Sequence, residues 1–119
     1  MIKSFFNPNK SKYKNKSCRC LQGHIHRSRF EAQVCNNLHF EYKESIKKGL
    51  CKIETEKRFD MIVSDIKICS HYVDFLIVFK NGDKIAVEAK GFATPVWKIK
   101  KKLFEALYSD IEYQVRYYK

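Results

Sequence analysis

No apolar run in this chain approaches the roughly 18 residues that a membrane-spanning helix needs, so no helical membrane span is expected. The opening Met1-Ile2-Lys3-Ser4-Phe5-Phe6-Asn7-Pro8 lacks the long apolar segment and small-residue cleavage site of a secretory leader, and a cytoplasmic protein is expected. Internal repeats are missing too. Acidic residues are absent from the first thirty positions, which carry eight bases: Lys3, Lys10, Lys12, Lys14, Lys16, Arg19, Arg27 and Arg29. Nor do the cysteines form an even set. Cys18, Cys20, Cys35, Cys51 and Cys69 number five, which in a cytosolic chain argues against a disulfide framework and leaves metal binding open.

What is present suits one folded domain. The 119 residues are 45% apolar and 14% aromatic, a composition that builds a core. Net charge is +11, concentrated in the basic start and in a second cluster, Lys98, Lys100, Lys101 and Lys102. Patches of this kind attract polyanions, nucleic acid before an anionic membrane surface, with an affinity that falls as salt rises.

Residues 1–17 read as a flexible basic arm without apolar period, ahead of a single domain over 18–119. Gly23 marks a turn. Ser28 followed by Glu31 has the form of a capping box, and Phe30, Val34, Leu38, Tyr42 and Ile46 predict a helix from about 29 to 48, stopped by Gly49. Cys51 to Val63 predicts a strand with Ile53, Thr55, Phe59, Met61 and Val63 alternating. The nearly continuous apolar run His71 to Phe79 predicts a strand covered on both faces. Asn81-Gly82-Asp83 signals a hairpin turn, and Lys84 to Lys90 returns as a strand ended by Gly91. Thr94-Pro95 caps a second helix to about Tyr108, with Trp97, Leu103 or Phe104, and Leu107 inward. Ile111 to Tyr118 closes the chain as a strand. Helix, three strands, helix, strand predicts an α/β sandwich with a mixed sheet of about four strands flanked by helices.

The apolar strand holds one charge, Asp74, and the returning strand holds Glu88 and Lys90. Carboxylates in apolar strands are costly unless a cation compensates them. A divalent cation on Asp74 and Glu88 would do so, and phosphodiester hydrolysis needs such an ion together with a positioned water, which Lys90 can orient. The competing reading is a structural ion pair on a solvated sheet face. Hairpin register separates the two. A two-residue turn pairing Lys80 with Asp83 sets Asp74 and Glu88 on opposite faces. A three-residue turn pairing Lys80 with Lys84 opposes Asp74 to Lys90 and gathers all three on one face, so a nuclease predicts that turn or a β-bulge between the strands.

Tyr72-Val73-Asp74-Phe75 with Val87-Glu88-Ala89-Lys90-Gly91 resembles the Asp…(Asp/Glu)-x-Lys core of the PD-(D/E)XK nuclease superfamily. With Ser28-Arg29-Phe30-Glu31-Ala32 and Thr94…Trp97-Lys98-Ile99-Lys100, about 18–118 is similar to short phage and prophage endonucleases related to phage-type Holliday junction resolvases. The resemblance implies a restriction-endonuclease-like sandwich and a Mg2+- or Mn2+-dependent endonuclease acting on branched DNA in phage replication or recombination. It implies Asp74 and Glu88 as metal ligands, Lys90 as the catalytic lysine and Glu31 beside the metal. It places Lys98, Lys100, Lys101 and Lys102 against the phosphate backbone, where Arg27 and Arg29 of the basic region are expected as well. A homodimer is expected by analogy. Val73 stands where the superfamily has proline, and Glu56 where this family often has glutamine.

Cys20-x3-His24-x-His26-x8-Cys35 offers four ligands of zinc type, and members of the resembled family can show a similar pattern. Its spacing matches none of the common paired knuckles, so ordinary buried cysteines are the alternative. His39 and His71 read as structural. The alternative to an endonuclease is a non-catalytic DNA-binding protein on a nuclease-like fold.

Overall fold

The computed structural model describes residues 17–118, so the expected basic arm lies outside the described residues but for Ser17. Strands β1 (Cys18–Arg19) and β2 (Ile25–His26) pair antiparallel as a short ribbon. Gly23 turns between them at φ +88, and the Cys20 N–H donates to the His24 carbonyl at 2.9 Å. Helix α1 (Arg29–Glu41) starts where Ser28 Oγ accepts the Glu31 N–H at 3.1 Å. The capping box is rearranged, because Glu31 Oε2 accepts from the N–H of Arg27, one residue before the cap, at 2.9 Å.

The single helix expected to reach about 48 bends at Tyr42 and resumes as α2 (Lys43–Lys47). Both segments stay on one core: Val34 and Leu38 are buried, and Phe30, Tyr42 and Ile46 pack around them. Gly49 ends the pair at φ +72, with the Leu50 N–H reaching back to the Ser45 carbonyl.

Strand β3 (Cys51–Val63) has the expected bounds. Strand β4 (Ile66–Phe79) begins five residues before its apolar run, because Ser64 and Asp65 both take positive φ and form a tight hairpin turn. The extra length carries the exposed Ile66 and Ile68, so burial gave the sequence no sign of it. Strand β5 (Lys84–Lys90) returns antiparallel to β4. Helix α3 (Pro95–Leu107), capped by Thr94 Oγ1 on the Trp97 N–H at 3.1 Å, then crosses over to β6 (Ile111–Tyr117), parallel to β5. The four-stranded mixed sheet runs β3-β4-β5-β6. Helix α1 covers one face through Phe75, Ile77 and Val87, and α3 covers the other through Leu76, Ala86 and Phe104. The expected α/β architecture with a mixed four-stranded sheet is the one observed.

The β4–β5 loop is the three-residue Lys80-Asn81-Gly82, but it closes one rung earlier than expected, with the Phe79 N–H on the Asp83 carbonyl at 2.9 Å. Val78 pairs Lys84 and Phe75 pairs Val87. Continuing that register sets Asp74 against Glu88, not against Lys90. The regular ladder ends at Phe75↔Val87, one residue short of Asp74, so the expected pairing of Asp74 with Lys90 is not formed.

A second irregularity was invisible in the sequence. Val73 belongs to the α3 side with Leu76, whereas Phe75 belongs to the α1 side, so β4 changes face around Asp74. Strand β3 does the same: Ile53 packs on the α1 side and Phe59 and Met61 on the α3 side. Thr55↔Phe75 and Lys57↔Val73 pair normally, but Glu56, at φ +52, and Asp74 do not. One kinked rung thus places Asp74 where both faces of the sheet can be reached.

Candidate active site and metal cluster

Glu31, Asp74 and Glu88 are 5%, 5% and 3% exposed, and they come from α1, β4 and β5. Asp74 is the middle member. Its Oδ2 accepts the Ala89 N–H at 2.9 Å and its Oδ1 accepts from Arg27 Nη2 at 3.2 Å. Burial, with Asp74 alongside, pushes Glu31 well above the ordinary carboxylate range. Burial and the same neighbour push Glu88 up as well, against the pull of Lys90. Glu31 and Glu88 flank Asp74 from the two sides of the sheet, so the acids form a chain through Asp74 instead of a single clasp.

Glu88 has surroundings the sequence did not reveal. His71 Nε2 lies 3.5 Å from Glu88 Oε1 and 2.8 Å from the Tyr113 hydroxyl. Burial, with Lys100 and Lys90 nearby, pulls His71 down to about 4, so it is a neutral imidazole at pH 7. Glu88 Oε1 is buried without a hydrogen-bond partner. An orphaned carboxylate oxygen beside a second buried carboxylate is an unfavourable arrangement that the described residues leave uncompensated. His71, read from sequence as structural, stands at the head of the apolar strand. Only β6, bringing Tyr113 alongside, reveals that it touches the site.

Lys90 follows Glu88 by two on the same strand, and its Nζ sits 4.7 Å from the centroid of the Trp97 ring, a contact that holds the ammonium at the end of β5. The basic helix divides. Lys100 Nζ donates to the Ser70 carbonyl at 3.2 Å, and Lys101 pairs with Glu105 at 3.0 Å and lies over Tyr113. These two tie α3 to the sheet and to itself, whereas Lys98 and Lys102 point to solvent. Arg27 stands on the carboxylates, 4.0 Å from Glu31 as well as bonded to Asp74, and Arg29 is exposed beside it. A cavity of about 880 Å³ opens over this corner, with Glu31 and Asp74 on its wall and Arg27, Arg29 and Lys90 around it.

The second cluster is separate. One ligand atom from each of Cys20, His24, His26 and Cys35 lies within 4.8 Å of all the others. Cys35 Sγ is 3.6 Å from Cys20 Sγ and 3.6 Å from His24 Nδ1. The β1–β2 ribbon supplies three of the residues and α1 the fourth, one turn beyond Glu31. His26 Nε2 is buried without a partner, as is His39 Nε2, whose ring is 5.9 Å from that of His24. Burial and the Cys20 thiol push the Cys35 thiol up to about 12. Two sulfurs and two nitrogens gathered this closely could hold a metal ion. Among the described residues no helix is long and apolar enough to cross a membrane.

A mixed four-stranded sheet between helices, with buried acids at a kinked rung and a Cys/His cluster, defines the class of structure. A family model described as "Protein of unknown function (DUF1064)" matches residues 10–119, and the chain belongs to that family. No curated protein and no solved structure matches it.

Proposed function

We propose that this protein is a metal-dependent DNA endonuclease of the PD-(D/E)XK type, acting on branched or otherwise structured DNA. One observation carries the reading: Asp74 and Glu88 are buried side by side at the end of a hairpin, with an unsatisfied Glu88 oxygen and Lys90 next along the strand. Buried neighbouring carboxylates are unfavourable by themselves, and a cation turns the same arrangement into a binding site.

In this reading Asp74 and Glu88 hold Mg2+ or Mn2+, with Glu31 alongside. The bound ion supplies a polarised phosphate oxygen and a water acidic enough to attack near neutral pH. Lys90, steadied against Trp97, orients that water or offsets the charge developing on the phosphate. Arg29, Lys98 and Lys102 present exposed charge to the DNA backbone. The Cys20–His24–His26–Cys35 cluster takes a structural Zn2+, which ties the ribbon to α1 and fixes the approach of Arg27. A homodimer fits a symmetric cut across a junction.

The test is incubation with Mg2+ or Mn2+ and four-way-junction, flap and linear duplex substrates, beside Asp74→Ala and Lys90→Ala. Cutting by the wild type alone is expected, fastest on a branched substrate. DNA binding with no cutting by any form would favour a non-catalytic DNA-binding protein, and undiminished cutting by Asp74→Ala would end the assignment.

A further inference from the structure

The cavity over the carboxylates has an aromatic rim that the hydrolytic chemistry does not use. Phe92 follows Lys90 by two residues, between the end of β5 and the Thr94 cap of α3, and its side chain is 75% exposed. Tyr118 lines the same cavity and is 66% exposed. Its N–H is fixed on the Lys90 carbonyl at 3.0 Å, and its ring is braced edge-on by Phe30 with centroids 5.4 Å apart. Tyr118 is held by the last hydrogen bond of β5, and Phe92 lies in the short stretch between β5 and the helix cap. An exposed phenylalanine is ordinary in isolation. Two rings on the rim of one charged cavity are a different case.

We infer that this rim is a stacking site for an unpaired nucleobase next to the scissile phosphate, so that the substrate class is DNA with an unpaired or extruded nucleotide at the cut. The inference rests on the nuclease reading and deepens it. Charge favours the occupant: Arg27, Arg29 and Lys90 line the cavity with the rings, three bases against Glu31 and Asp74, which suits a phosphate-bearing strand. Size agrees, because about 880 Å³ is room enough for a nucleotide. Inside a continuous duplex both faces of every base are covered by its neighbours. A protein ring gains a base face only where pairing is already interrupted or is given up. Substrates with a bulge, flap or branch present that face without the cost of unstacking.

The experiment measures affinity, apart from cutting. The full chain, without added Mg2+ or Mn2+, is titrated by fluorescence anisotropy at one fixed salt concentration. The probes are a continuous duplex and the same duplex with one unpaired 2-aminopurine. Phe92→Ala is expected to weaken binding of the interrupted probe by about 5- to 150-fold, the range for one base stacked on one ring. The continuous duplex should change by less than about twofold, the level of a contact not made. Phe92→Trp should restore the difference, and 2-aminopurine fluorescence should be quenched by wild type and not by Phe92→Ala. Because the ring is exposed, its removal leaves the core intact, and an unchanged melting temperature checks this.

Equal losses on both probes, or no loss on either, would overturn the stacking site. So would self-association abolished by Phe92→Ala with both affinities unchanged, which would assign the ring to a contact between copies. Selectivity that survives in a protein unable to cut would sink the nuclease reading and leave the stacking site standing. Cutting without Phe92-dependent selectivity would do the reverse.

Discussion

The Asp74 carboxylate takes the Ala89 N–H at 2.9 Å, in the interval between Glu88 and Lys90. Regular β4–β5 pairing stops at Phe75↔Val87, so a side chain replaces the backbone carbonyl as acceptor at the next rung. That substitution holds the acid in place, ends the ladder and leaves Glu88 and Lys90 free to turn to the site. The carboxylate oxygen therefore has a structural task and its charge a separate one.

The two tasks are separable by Asp74→Asn. Asparagine can still accept the Ala89 N–H, but it removes the charge that, after burial, raises Glu31 and Glu88. Cleavage should fall by at least about 100-fold, since a ligand matters no less than the outer partners worth 10–100-fold. Melting of the protein without added divalent ions should hold steady or rise by up to about 5 °C, the equivalent of roughly 1 kcal/mol. Scanning calorimetry beside a nuclease assay checks both, and a large drop in melting temperature would show that the charge stabilises the fold.

Stability should depend on pH with a definite sign. Folding raises Glu31 and Glu88 from the ordinary 4.5, so the folded state binds more protons than the unfolded chain. Their contribution is complete below pH 4.5 and is lost as pH climbs through the raised values. His71 is lowered from 6.5 to about 4, so its contribution is present above 6.5 and lost on acidification toward 4. Burial lowers His26 and His39 as well, so the histidines oppose the carboxylates below 6.5, and above it the raised carboxylates set the slope. Without added divalent ions the melting temperature should fall between pH 6.5 and 8.5, and Glu88→Gln should flatten that slope. A melting temperature that rises across this interval in the wild type would contradict the assignment.

Tyr113→Phe tests the support of Glu88. The ring packs edge-on against Phe104 at 5.2 Å, which phenylalanine keeps, while the hydroxyl bonded to His71 is lost. Mn2+ affinity, followed by electron paramagnetic resonance, should weaken about 10- to 100-fold with little change in melting. Unchanged affinity would reduce Tyr113 to a packing residue.

The Cys/His cluster predicts one tightly held zinc per chain. Co2+ substitution should give the visible absorption of a tetrahedral site with thiolate ligands. Cys35→Ser should lose that spectrum and lower the melting temperature by roughly 10 °C, the shift for about 2 kcal/mol in a domain of this size. Elemental analysis finding no metal in protein purified without chelators would count against the site.

Much of this was legible along the chain. Apolar period and capping residues located α1, β3, β5, α3 and β6, because helix and strand repeats and cap hydrogen bonds are local. The four cluster residues were readable from type and proximity, since a tight turn at Gly23 brings near neighbours together. The bend at Tyr42 was not legible because the apolar period runs straight through it to Ile46, and the early start of β4 was not because its extra residues are exposed. The roles of Lys100 and Lys101 in bracing α3 were hidden too, because the Ser70 carbonyl and the Tyr113 ring come from distant strands.

The sequence by itself determined that Asp74, Glu88 and Lys90 share one hairpin, because Asn81-Gly82-Asp83 turns the chain between two adjacent strands. Only the tertiary structure decided that Asp74 faces Glu88. It also decided that β3 and β4 change face together at Glu56 and Asp74, and that His71 and Tyr113 enclose Glu88. The physical reason is that strand parity is a property of one chain segment, whereas the kinked rung and the burial of three acids come from packing helices against both faces of a single sheet.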